Sequence, residues 1–316
     1  MSFDVGTLSP AQREEIVKGQ EPDLSGYMAR TVVPEPAFPI TRREGAYRKL
    51  GQNRTHASDG EGRSTKQRPG SPTPEGNGGV ESLSYVCEHY KFKEGIDELT
   101  GMELETAIPI YSQLGLGATH EILADFERDF IEVVKGNGTD ASEDSILTMT
   151  LSSGEEFDDP TGSPITQIQK ALRSIGSGAR AVLGFDVAFA LMRHPDVIGA
   201  TEGGSKSDNT MVALQSLLGF FQSRFGVSQV YVGTQPIHDG AENWDFQRAY
   251  LHDGACYFDD GKNLERPTFM DLRLDDYEDR DKEMKYVRAR FDADIVRRFK
   301  ENSIALKNVL ANPGAI

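Results

Sequence analysis

The run Ala181–Val197, AVLGFDVAFALMRHPDV, decides how the rest of the chain is read. Ala181 to Phe185 is a short apolar stretch and predicts a buried strand. Asp186 is placed to cap the helix VAFALMRH, which must stop near His194 because Pro195 disfavours a helical residue before it. Upstream, Ser163 can cap a helix with Pro164 at its first position, and Ile165, Ile168, Ala171, Leu172 and Ile175 line one face. Downstream, Asn209 or Thr210 opens a helix through Leu218 that Gly219 closes, and Val227–Val232 predicts the next strand. Helix and strand thus alternate compactly from 161 to 255. Gly176-Ser177-Gly178 follows a helix and precedes a strand, the reverse of a dinucleotide loop, so it reads as a turn.

Outside this block the patterns change. Ser84–Phe92 is rich in β-formers and predicts a strand. From Met102 to Lys135 the period is helical, and Ala118, Ile122, Leu123, Phe126, Phe130, Val133 and Val134 share a face. Ile122, Phe126, Phe130 and Val134 are the candidate core of that helix. Pro109, Gly115 and Gly117 predict an interruption, a shorter helix before the long one, and Gly136-Asn137-Gly138 suits a stop. Near the end, Val287, Ala289, Phe291, Ala293 and Ile295 alternate with Arg288, Arg290, Asp292 and Asp294, a two-residue period that predicts a strand with one buried face. Ile304–Leu310 predicts a last strand.

The first 85 residues read differently. Ser9–Lys18 is a weak helical stretch, and Pro34, Pro36 and Pro39 punctuate an extended arm. Residues 51–80 hold almost no large apolar side chains, too few to offset their own ordering entropy. From Arg42 to Arg68 there are eight basic residues, including Arg48, Lys49, Arg54, Arg63, Lys66 and Arg68, against three acidic ones. Such an island is either a solvated loop or an arm that docks on an acidic partner.

The chain itself is acidic: 316 residues carry 50 acidic and 34 basic side chains, a formal net charge of −16. That disfavours a nucleic-acid-binding protein, and no apolar run is long enough for a membrane span. Cys87 and Cys256 have no metal-ligand spacing and point to a reducing compartment. The acidic clusters Glu155–Asp159 and Asp271–Glu283 lack the calcium-loop spacing and read as solvated turns. The six histidines are scattered, and neither a nucleophile elbow nor a phosphate loop is present. No catalytic residue, metal ligand or cofactor is therefore expected.

The ordered set of parts resembles a known family. AVLGFDVAFALMRHPDV is similar to the strand, Gly, short helix and Leu-x-x-His-Pro signature of tailed-bacteriophage major capsid proteins of the Hong Kong 97 type. In that family a helix and a strand ending in Val-Gly follow, matched here by Asn209–Phe220 and Val227–Gly233 (VSQVYVG). Asp158-Asp159-Pro160 and PITQIQKA match the entry to its axial domain, and Tyr85–Tyr90 (YVCEHY) the segment between extended loop and spine helix.

The resemblance implies an α+β fold with an N-terminal arm (1–45), an extended loop (46–84) and an axial domain (161–255). A peripheral domain would combine 85–160 and 256–316, with a spine helix at about 103–135. It implies a structural, non-enzymatic virion protein that forms hexamers and pentamers of an icosahedral shell around DNA, assembled in the bacterial host cytoplasm. A separate scaffolding protein, a portal and a decoration protein would be its partners. The loop would lie across an adjacent subunit, its basic side chains on acidic neighbours. An encapsulin-like cellular nanocompartment shell is the alternative, and a small-molecule enzyme built on 161–255 a third reading.

Overall fold

In a computed structural model the described residues are 27–37, 39–50, 80–97, 110–135, 147–176, 178–201, 211–235, 250–279, 282–297 and 302–311. The expected helix at Ser9–Lys18 and residues 51–79 of the expected loop lie outside them.

A five-stranded sheet forms the centre. Its order is β4 (Leu147–Thr150), β12 (Ser303–Lys307), β7 (Cys256–Asp259), β5 (Arg180–Gly184), β6 (Gln229–Gly233). The pairs β12–β4 and β5–β6 are parallel, while β7 runs antiparallel to both β12 and β5. Both faces of its three middle strands, β12, β7 and β5, are buried. Ala181, Leu183, Cys256, Phe258, Ile304 and Leu306 enter one core, and Val182, Tyr257 and Ala305 enter another. A strand buried on both faces needs no polar alternation, which explains the unbroken AVLG. The sheet takes two strands from 161–255 and three from outside that range.

The first core lies under α3 (Pro164–Ile175), α4 (Phe185–Arg193), α5 (Pro195–Thr201) and α6 (Leu214–Phe225). Three local expectations are corrected here. Asp186 does not cap α4: Gly184 is the cap residue, and Asp186 instead accepts from the N–H groups of Val187 and Gly254. Likewise Ser163, though at the cap position of α3, makes no side-chain cap bond, so Pro164 sets that start. And α6 runs through Gly219 to Phe225, closed by Gly226 at φ 66°, a left-handed stop that suits glycine. It also opens later than expected, at Leu214 behind an extended Ala213, and not at Asn209 or Thr210.

The second core sits between α2 (Ile110–Lys135) and a three-stranded sheet ordered β3 (Glu88–Asp97), β10 (Met284–Ala293), β9 (Thr268–Asp279). α2 is continuous from Ile110 to Lys135, while residues 102–109, with Pro109 and the start of the expected shorter helix, lie outside the described residues. Gly115 and Gly117 do not interrupt it. A Cβ on Gly117 would meet the Glu94 carboxylate at 2.5 Å, and one on Gly115 would touch Leu274 and Val287 at 3.4 and 3.5 Å. These glycines let helix and sheet approach closely, and tertiary packing outweighs their weak propensity.

Two further expectations change. Asp271–Asp279 is strand and not turn, with Asp275 opposite Arg288 and Glu278 opposite Lys285, while Lys282 and Glu283 at the end of the cluster do form a turn. Ser84–Phe92 is not one strand but two, β2 (Val80–Val86) and β3, separated at Cys87. β2 pairs antiparallel with β1 (Glu44–Leu50) in a separate two-stranded ribbon. The short pair β8 (Leu264–Glu265) and β11 (Val296–Arg297) and the one-turn helix α1 (Ala29–Val32) complete the described elements. The last strand, β12, stops at Lys307, where Asn308 adopts φ 54°.

Candidate assembly surface

The polar groups sort the described surface into a closed part and an open part. Around the signature helix α4 most polar groups are paired within the fold, although the buried Asp253 Oδ1 has no partner among the described residues. Asp196 N–H donates to His194 Nδ1 at 3.1 Å, and His194 Nε2 meets the Asp159 carbonyl at 3.0 Å, which fixes a neutral ring protonated on Nε2. His194 therefore pins the 155–161 loop to the α4–α5 corner. That loop's acids are turn acceptors: Glu155 for Ser152 N–H and Gln167, Asp158 for Ala311 N–H, Asp159 for Thr161. The Thr161 donors hold the Asp159 carboxyl below its usual range.

The strand-end glycines have a packing role. Gly184 and Gly233 are register partners at the ends of β5 and β6, and His252 fills the space both lack. An added Cβ would stand 2.1 Å from the His252 carbonyl at Gly184 and 2.4 Å from its ring at Gly233. His252 Nε2 then donates to Glu127 of α2 at 2.6 Å, both groups fully buried. The same carboxylate accepts the N–H groups of Met28 and Ala29 at 2.8 Å each. At the other end of α1, Arg180 donates to the Val32 carbonyl at 2.8 Å while gripping Asp259 through two bonds of 2.9 Å. Residues 28–32 are thus strapped to α2 and the central sheet at once. Sequence alone gave no sign of this strap, because Met28, Glu127, Arg180 and His252 are far apart in the chain.

The expected core residues of α2, Ile122, Phe126, Phe130 and Val134, are all buried at 1% exposure or less. Phe126 meets Tyr90 and Phe291 edge-on at 5.7 and 5.1 Å. Tyr90 also donates to Asp129.

The ribbon is the open part. In β1 and β2 the register runs from Glu44↔Val86 to Leu50↔Val80, so residues 51–79 begin and end on adjacent strands. Arg48 and Lys49 lie on β1; Arg54, Arg63, Lys66 and Arg68 lie outside the described residues. The root of the ribbon is fastened firmly. Arg43 reaches the buried Asp292 at 2.6 Å beside His89, Val86 N–H donates to Asp294 at 2.8 Å, and Cys87 Sγ–H donates to the Pro267 carbonyl at 3.4 Å. Just beside that root, Val86 is 59% and Phe269 42% exposed.

Among the described residues no three His, Cys, Asp or Glu side chains converge to hold a metal, and no helix is long and apolar enough to cross a membrane. Burial pushes the Cys87 thiol up to about 11 and the fully buried Cys256 higher still, against nucleophilic thiolates.

No family model matches the chain, and no curated protein matches it in sequence. Its architecture, in contrast, matches solved structures along nearly its whole length. A phage-related protein from Bordetella bronchiseptica RB50 superposes with a TM-score of 0.63 at 10% identity, covering 96% of this chain and 98% of that one. The mature capsid of bacteriophage PhiM1 gives 0.51 at 10% identity over 88% and 86%. A virus-like particle from Pyrococcus furiosus gives 0.50 at 11% over 94% and 97%. The chain has the α+β fold of these shell structures, the Hong Kong 97-type capsid fold that its sequence resembles.

Proposed function

We propose that the chain is the major capsid (coat) protein of a tailed phage. It assembles as hexamers and pentamers into an icosahedral shell that encloses packaged double-stranded DNA without sequence-specific binding. Near end-to-end likeness to the chain of a mature phage capsid carries this reading, and the fastened β1–β2 ribbon supports it. Residues 1–45 are the arm, 46–84 the extended loop, 85–160 with 256–316 the peripheral domain and 161–255 the axial domain. Strands β4, β7 and β12 root the axial domain in the peripheral one. Arg48, Lys49, Arg54, Arg63, Lys66 and Arg68 place the loop on acidic neighbours. The shell assembles in the host cytoplasm with a separate scaffolding protein, a portal and a decoration protein.

Electron microscopy and light scattering of the purified chain test the proposal. Closed shells or rings of five or six subunits support it; a monomer that stays a monomer with scaffolding protein added rejects it. Within that frame, Arg54→Glu with Arg63→Glu is expected to leave a folded, assembly-poor subunit, and normal assembly at low and high salt would sink the loop assignment.

Likeness to the Pyrococcus furiosus particle favours a second reading, an encapsulin-like shell around protein cargo. Nuclease-protected DNA inside purified shells decides for the phage, and protein cargo without DNA for the alternative.

A further inference from the structure

The face of the β3–β10–β9 sheet turned away from α2 places like charges side by side. Arg290 of β10 stands opposite Lys91 of β3 and opposite Arg273 of β9. In the next row stand Lys93, Arg288 and Asp275. Two adjacent rows therefore hold five cations and one carboxylate. Asp275 serves both Arg288 at 3.2 Å and Arg290 at 2.5 Å. Lys93 turns to the Tyr277 hydroxyl at 3.1 Å and the Tyr286 ring at 4.4 Å. Lys91 and Arg273 are exposed and have no carboxylate partner among the described residues. The Nε groups of Arg288 and Arg290 are buried without an acceptor.

Like charges directly opposite in a strand ladder destabilise it. In the lone subunit this arrangement is unfavourable, and a carboxylate-rich surface laid across it offsets the repulsion. The rest of the molecule is such a surface, since the whole chain, these cations included, carries −16. A local patch of opposite sign on an acidic subunit also fixes how neighbours orient. Side chains on the same strand favour a protein as the occupant. Phe269 and Tyr277 of β9 are 42% and 36% exposed, and apolar rings beside arginines are typical of protein contacts. Stacking of nucleic-acid bases needs free ring faces. Tyr277 and Tyr286 instead stack on each other at 5.2 Å, with Lys93 over Tyr286 and Arg288 over Tyr277.

We propose that this sheet face is a contact between copies, receiving a carboxylate-rich surface of a second copy of this chain. The proposal rests on the self-assembly reading above and assigns it a contact separate from the extended loop.

The test is Lys91→Thr with Arg273→Thr in the full chain, beside Arg273→Lys, which keeps the charge. Removing the like charges is expected to leave the melting temperature equal or higher. The subunit concentration needed for shells should rise about tenfold at low salt, a gap that closes near ~1 M NaCl as charges are screened. Arg273→Lys should assemble as wild type. A double variant that assembles at the wild-type concentration at every salt overturns the proposal, as does one that melts lower and loses assembly through misfolding. Normal shells that no longer retain DNA would also overturn it, giving the face to nucleic acid. Failure of the wild type itself to assemble would strike the capsid reading instead.

Discussion

The helix-covered half around β5 and the layer of α2 on β3–β10–β9 are both well packed, yet they treat polar groups in opposite ways. Around β5, both ring nitrogens of His194 are used, Glu155 and Asp159 accept from their own turn, and Asp158 accepts from Ala311. The layer is equally closed where α2 meets it, through Phe126, Phe130 and Phe291. Its far face ends in unpaired cations, and Val86 and Phe269 stay exposed near the ribbon. A surface that satisfies its own groups has no need of a neighbour, whereas one that leaves charge and apolar area open is complete only against another molecule. On the self-assembly reading proposed above, the second would be the joining surface and the first, where Leu147 and Met211 are also exposed, the scaffold behind it.

The largest expected effect tests the closed side of the layer. Phe126 is 1% exposed, held between Tyr90 and Phe291. Phe126→Asp buries an unpaired charge at a cost of several kcal/mol, enough to consume a typical domain stability of about 5–15 kcal/mol. Circular dichroism should show no cooperative melt. Phe126→Ala should fold but lose about 3–5 kcal/mol in denaturant titration.

Next in size is the joint between the halves. Gly233→Ala drives a methyl group into the His252 ring, and forced overpacking of that kind costs about 3 kcal/mol. Because His252 bonds to Glu127, which holds Met28 and Ala29, the strap should loosen with it. Hydrogen exchange at residues 28–33 is the measurement. Exchange that stays as slow as in wild type would show that the strap does not depend on the joint.

How much of this was legible in the sequence follows from the range of each interaction. Periodicity is local, so the faces of α2, α3 and β10 could be read directly from their apolar spacing. Gly115 and Gly117 could not, because their meaning lies in Glu94, Leu274 and Val287 on other elements. Asp271–Asp279 looked like a solvated turn because a run of acids is only a strand when bases stand opposite, and the register with β10 is a long-range fact. The row of Lys91, Arg290 and Arg273 was hidden for the same reason: each lies on a different strand. His194-Pro195 was legible as a motif, but its bond to Asp159 was not.

The smallest effects separate two buried carboxyls, Asp186 and Asp292, by the sign of their response to acid. Asp186, 4% exposed beside α4, has its carboxyl pushed up to about 6, by burial first and then by the Asp253 charge, against N–H bonds from Val187 and Gly254. The folded state then binds this proton more tightly than the unfolded chain, whose carboxyl titrates near 4. Stability from this group is full below about pH 4 and falls by about 2–3 kcal/mol as pH rises to 6. Asp186→Asn should remove that slope in melts from pH 4 to 7. Asp292, on the joining side, runs the other way. Burial alone would raise it, but hydrogen bonds from His89 and Arg43 outweigh burial and hold it below the usual carboxylate range. Its contribution is present above the unfolded value and is lost as pH drops through the lower folded one. Asp292→Asn should therefore cost about 1–2 kcal/mol at neutral pH and progressively less in acid. Opposite signs in one pH series would confirm that Asp186 is a carboxylate the fold tolerates and Asp292 one it is built around, and equal signs would end the contrast between the two residues.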